Sequence, residues 1–201
     1  IALLVIVFLP AGYGDLAVDP LQNVEFLVAN QAILYLWNFV AYVIFGTFLV
    51  IVALALHSRL QEGAPALAQV ATAFGLIWAG LMFASGMVAN IGASVVADVF
   101  GRDPAQAGSV WLALTLVVDG LGGGNEIVGG LWVLLVSWAG LRSGALPRAL
   151  NIFGLIVSAA GIVTLVPALT DVGAIFGLGS IVWFIWVGIV LLRSAPEVAV
   201  E

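Results

Sequence analysis

Asp119-Gly-Leu-Gly-Gly-Gly-Asn-Glu126 sits inside an otherwise apolar run from Val110 to Leu141 that closes at Arg142. A run of that length is a membrane-helix candidate, because roughly 20 consecutive apolar residues cross a bilayer. Two carboxylates and an amide in its middle are costly there. Even the mildest scales put an ionised carboxylate at the bilayer centre at about +2.5 to +3.5 kcal/mol, so such groups face protein or water. The three consecutive glycines beside them, Gly122, Gly123 and Gly124, either let another helix come very close or let this one unwind.

Taken as one unbroken helix at about 100° per residue, the segment sorts into two faces. Thr115, Gly122, Gly123, Glu126, Gly130 and Ser137 fall within about 60° of Asp119. Leu114, Val117, Leu121, Val128, Trp132 and Leu135 fall opposite, where bulk can meet lipid. Asp119 and Glu126 then stack on one inward stripe about 10 Å apart along the axis, with Asn125 toward a flank. The same sorting makes Gly122, Gly123 and Gly130 helix-packing positions, a reading preferred here over an unwound binding site.

The rest of the chain sets the class. Its 201 residues are 64% hydrophobic and 8% charged with mean hydropathy +1.25, against about 45–50% apolar and 25% charged in soluble domains. This composition describes an all-α, multi-pass membrane protein in a single integral domain, with the lipid bilayer as its first partner. The net charge of −6 comes from scattered acids, and with no basic patch nucleic acid is excluded as a partner. Cysteine is absent, so disulfides and thiolate chemistry are excluded. Lysine is absent too, leaving no side-chain amine for a Schiff base. No metal-ligand cluster is visible, and no cofactor is indicated.

Hydropathy places spans at 31–55, 67–97, 110–141, 151–169 and 174–192. The apolar stretch 1–9 reads as the outer part of a first span, or alternatively as a signal-peptide core. Between it and the second span, Asp19-Pro20 is a helix start, a cap followed by proline at the first position. Arg59, Arg142, Arg148 and Arg193 fall on one side and Arg102 on the other, which puts the first group in the cytoplasm. Asp15, Asp19, Glu25, Asp98, Asp103 and Asp171 lie opposite them. The expected fold is a six-helix transmembrane bundle with both termini cytoplasmic. An internal echo, Phe74-Gly-Leu-Ile77 against Phe153-Gly-Leu-Ile156, each after a basic turn, suggests a duplicated hairpin, although chance similarity between apolar strings gives the same picture.

Gly120-Leu-Gly-Gly-Gly-Asn-Glu-Ile-Val-Gly-Gly-Leu-Trp132, with Leu141-Arg-Ser-Gly-Ala-Leu-Pro-Arg148 and Val182-Trp-Phe-Ile-Trp186, resembles the bacterial membrane family catalogued as domain of unknown function 4386. The likeness runs from about the second span to Arg193. It implies a six-span helical protein of the bacterial inner membrane and carries no activity with it.

Polar side chains in the spans gather at one depth. Asn38, Asn90 and Ser180 lie about seven residues from the outer ends of their helices, Asp119 slightly deeper, with Thr164 near the same layer. Gly86, Asn90 and Ser94 share one helix face. The pattern implies an outward-opening cavity with Asp119 in its wall and Glu126 toward its floor. No arginine lies inside the membrane to pair with Glu126, which is therefore expected to carry its proton. The plain alternative is that Glu126 is glue, hydrogen-bonded across the bundle at about 0.6–2 kcal/mol. His57 is read as an interfacial residue rather than a pigment ligand, and Trp37, Trp111, Trp132, Trp138, Trp183 and Trp186 as interface anchors or lipid-facing bulk.

Two functions follow. Asp119, Glu126, Asn125, Asn90 and Asn38 bind or transport a small molecule or a proton, or the chain is an accessory subunit packed on a partner membrane protein, a lipid, a pigment or a second copy. An enzyme ranks third, because no histidine or cysteine accompanies the carboxylates. The orientation is testable by single-cysteine labelling. Asp103→Cys should react with an impermeant reagent in intact cells and Ser143→Cys should not; the reverse pattern inverts the topology.

Overall fold

The computed structural model describes residues 11–123 and 127–193, and every regular element among them is helical. In chain order these are α1 (Pro20–Ala29), α2 (Gln31–Asn38), a π-helical segment (Phe39–Ile44), α3 (Phe45–Leu60), α4 (Pro65–Phe100) and α5 (Pro104–Val118). A second π-helical turn (Asp119–Gly123) precedes α6 (Ile127–Ser143), α7 (Arg148–Val163), a 3-10 helix (Pro167–Val172) and α8 (Gly173–Arg193).

Local chemistry explains the boundaries. Asp19 caps α1 by accepting from the Leu21 N–H at 2.9 Å, and Asp103 caps α5 by accepting from the Gln106 N–H at 3.1 Å. Proline occupies the first turn of both helices, where its missing N–H is no loss. Arg59 lies in the last turn of α3, Arg142 in that of α6 and Arg193 in that of α8, cations set against the negative end of each helix. Gly144, at φ +68°, closes α6 in the left-handed conformation that suits glycine, its N–H bonded to the Gly140 carbonyl at 3.0 Å.

Four stretches are long and apolar enough to cross a membrane: Gln31–Leu60, Pro65–Phe100, Pro104–Ser143 and Pro167–Arg193. The span expected at 151–169 is shorter than its hydropathy suggested. Helix α7 stops at Val163, the Thr164 hydroxyl donates to the Gly161 carbonyl at 2.7 Å, and Pro167 opens a tighter 3-10 turn. Its 16 residues span about 24 Å, less than the roughly 30 Å hydrocarbon layer.

The described residues fall into two compact units, one drawn from 11–47 and 79–123, the other from 48–78 and 127–193. In the first, α1 packs against α5, and Val24, Leu27, Leu34, Ala93, Val96, Ala107 and Trp111 form a buried core. Gly86 lets the π segment close on α4, because an added Cβ there would lie 2.6 Å from the Tyr42 Cβ.

The second unit is built on tryptophan, which corrects the lipid-facing reading of these residues. Trp132 and Trp183 have no exposed surface, and Trp78 and Phe176 are nearly as buried. Trp132 lies 5.6 Å from Trp183 edge to face and 5.8 Å from Trp78, with Phe184 stacked on it at 5.7 Å. Trp111, in the first unit, is buried as well, whereas Trp138 is 44% exposed with the Arg142 guanidinium over its ring. Glycines make the room. A Cβ on Gly75 would stand 2.6 Å from the Trp132 indole nitrogen, and a Cβ on Gly154 would stand 2.6 Å from that of Trp183.

Gly75 and Gly154 are the glycines of the two Phe-Gly-Leu-Ile stretches, and each seats an indole from another helix. The same nine-residue step separates Trp132 from Leu141-Arg142 and Trp183 from Leu192-Arg193. Gly75→Ala and Gly154→Ala should therefore lower the melting temperature in detergent by about 2–10 °C, the size expected of overpacking by about 1–3 kcal/mol. Gly177→Ala and Gly188→Ala, whose added Cβ atoms meet nothing within 4 Å, should be neutral or slightly stabilising. Equal losses in both pairs would contradict the seating.

Candidate functional site

The glycine-rich stretch does not continue as an α-helix. Gly122 adopts φ +120° and ψ 9°, outside the helical region and open essentially to glycine alone. An added Cβ would meet nothing nearer than the Leu81 Cβ at 3.8 Å, so backbone conformation rather than close packing requires glycine at this position. The 100° register that stacked Asp119 over Glu126 assumed an unbroken helix and ends here. Gly123 completes the π turn, while Asn125 and Glu126 lie outside the described residues. Gly130 is different: on α6, its added Cβ would lie 3.0 Å from the Ser158 carbonyl oxygen and 3.1 Å from the Ile162 nitrogen, against the α7 backbone.

Both π segments begin at a polar residue singled out in the sequence. Phe39–Ile44 follows Asn38, and Asp119 opens the second. Such insertions widen a helix by one residue per turn and recur at functional sites. The Asn38 amide donates to the Asn90 side-chain oxygen at 3.0 Å, tying α2 to α4. The Ser85 hydroxyl, fully buried on α4, donates to the Val118 carbonyl at 3.5 Å, just before the second π turn.

A cavity of about 220 Å³ lies within this unit. Thr115 lines it from α5 and Asp119 from the start of the π turn that follows, and Asn38 and Leu34 from α2. Four aromatic residues complete the wall: Tyr13 from the segment before α1, Trp37, Tyr42 from the π segment and Trp111 from α5. Tyr13 and Trp111 have ring centroids 6.5 Å apart. Burial pushes the Tyr13 phenol up to about 12, against the opposing pull of its hydrogen bond with the Trp111 indole. Tyr13 thus presents a neutral, aromatic wall at physiological pH. Among the described residues lining the cavity, Asp119 is the one carboxylate.

Of the polar residues expected at one depth, Asn38 and Asp119 line the cavity and Asn90 holds Asn38 in place. Ser180 and Thr164 do not line it; Ser180 is buried in the other unit and Thr164 is bonded to Gly161. The aromatic wall was missed. Its signal lay in spacing, since Trp111, Thr115 and Asp119 recur every four residues and Tyr42 follows Asn38 by four. His57 has a local partner, its Nδ1 lying 2.9 Å from the Thr72 hydroxyl. No group of three potential metal ligands occurs among the described residues.

A family model described as Domain of unknown function (DUF4386) matches residues 2–193. No curated protein and no solved structure matches the chain.

Proposed function

Because the chain belongs to the family Domain of unknown function (DUF4386), a membership that brings no activity with it, we propose its function from the cavity: a multi-pass protein of the bacterial inner membrane that binds or transports a small molecule or a proton at Asp119. The observation that carries this reading is the coincidence of a carboxylate, a cavity and two π-helical segments in one unit. Irregular backbone at membrane depth is tolerated where it is buried in protein or lines a cavity, and broken helices of this kind hold the substrate sites of many transporters. Structural glue would need no void beside the carboxylate. We read the cavity as opening away from the cytoplasm, on the arginine distribution, and place it in a six-span bundle with both ends inside.

Asn38 and Asn90 set the wall in this reading, and Glu126 stays a candidate proton carrier on its sequence position. The competing role, an accessory subunit on a partner membrane protein, a lipid or a pigment, makes a different prediction on purification. A binding protein should run alone or as a homo-oligomer in mild detergent, and small ligands that raise its melting temperature should lose most of that effect in Asp119→Asn while Gly177→Ala retains it. A stoichiometric partner, together with ligand effects indifferent to Asp119→Asn, would favour the accessory role.

A further inference from the structure

We propose that the Asp119 cavity selects a small organic cation with an alkylated ammonium head, held by the carboxylate and by the faces of Tyr13, Trp37, Tyr42 and Trp111. This rests on the binding reading above and deepens it. The negative faces of aromatic rings attract cations, tryptophan most strongly, and boxes of such rings are how proteins hold quaternary ammonium groups. Two tryptophans and two tyrosines line a single small cavity here, and Asp119 is the one carboxylate on the described wall.

An anion would meet the carboxylate and the ring faces, all unfavourable. A neutral polar molecule would leave the carboxylate without a counter-charge and would gain little from the four aromatic rings. An alkylated ammonium needs no hydrogen-bond acceptor; it needs a counter-charge and polarisable walls, which are what this cavity offers. Size narrows the class further. About 220 Å³ is below the roughly 300–1,000 Å³ of drug-sized pockets, so the head group and a short tail fill it.

The chain has no cysteine, so one introduced thiol reports on the cavity alone. Thr115 lines the wall one helical turn from Asp119, and Thr115→Cys changes its size little. Three methanethiosulfonates are compared, carrying a trimethylammonium, a neutral methyl and a sulfonate group, each rate divided by its rate with a free thiol in solution. The expected result is that the trimethylammonium reagent reacts at least tenfold faster than the neutral one, that Asp119→Asn in the same background abolishes the preference, and that tetramethylammonium chloride slows the neutral reagent.

Equal normalised rates, or a preference unchanged by Asp119→Asn, overturn the cation assignment while leaving a reachable binding cavity. Absence of reaction with all three in the folded protein, with full reaction after denaturation, means a closed void and overturns both readings. If Thr115→Cys does not fold, Ala93→Cys, which lines the cavity from α4, replaces it with the same criteria.

Discussion

One left-handed residue decides what this helical chain can contain. In a bilayer each backbone N–H and C=O must find a partner within the protein, since an orphaned group costs several kcal/mol. Gly122, at φ +120°, interrupts the ladder in the middle of an apolar stretch. Its neighbours compensate: the π turn from Asp119 re-spaces the bonds and Ser85 reaches the Val118 carbonyl from α4. An interruption with such support lies where side chains and space can be arranged around it, and the cavity beside Asp119 is that space.

The other unit solves a different problem by a different means. Lipid tails are as apolar as leucine, so helices in a membrane associate through close packing rather than through exclusion from water. Here the packing units are glycine and indole. Gly75 under Trp132 and Gly154 under Trp183 bring helices together around the largest side chain available, and Gly129 does the same for Trp78 and Phe176. The Ser137 hydroxyl also lies against Gly154, so α6, α7 and α8 converge on one small residue.

Much of the architecture was legible in the sequence. Four of the expected spans coincide with long apolar helices, and the Asp19-Pro20 start caps its helix through a side-chain hydrogen bond; Asp103-Pro104, read only as loop, caps a helix in the same way. The depth argument grouped Asn38, Asn90, Asp119, Ser180 and Thr164; Asn38 bonds Asn90 and lines a cavity with Asp119, while Ser180 and Thr164 lie away from it. Tryptophan burial was not legible by hydropathy, because an indole scores alike facing lipid or facing a glycine; the partner glycine carries the information, and it lies on another helix. The glycine triplet was ambiguous for a related reason. Glycine serves equally as a close-packing residue and as a left-handed one, and the helical wheel presupposed the first at Gly122. Gly130 shows the close-packing use, a glycine eight residues past the triplet's start that does meet a neighbouring backbone.

The account depends most on the break at Gly122 and the cavity beside it. An experimental structure of the purified protein in lipid nanodiscs, at a resolution that defines backbone carbonyls, tests both at once. The account predicts a positive φ at Gly122, a π turn from Asp119 and open space enclosed by Tyr13, Trp37, Tyr42, Trp111 and Asp119. A continuous α-helix through residues 119–123, with those aromatic side chains closed onto one another over Asp119, would contradict it.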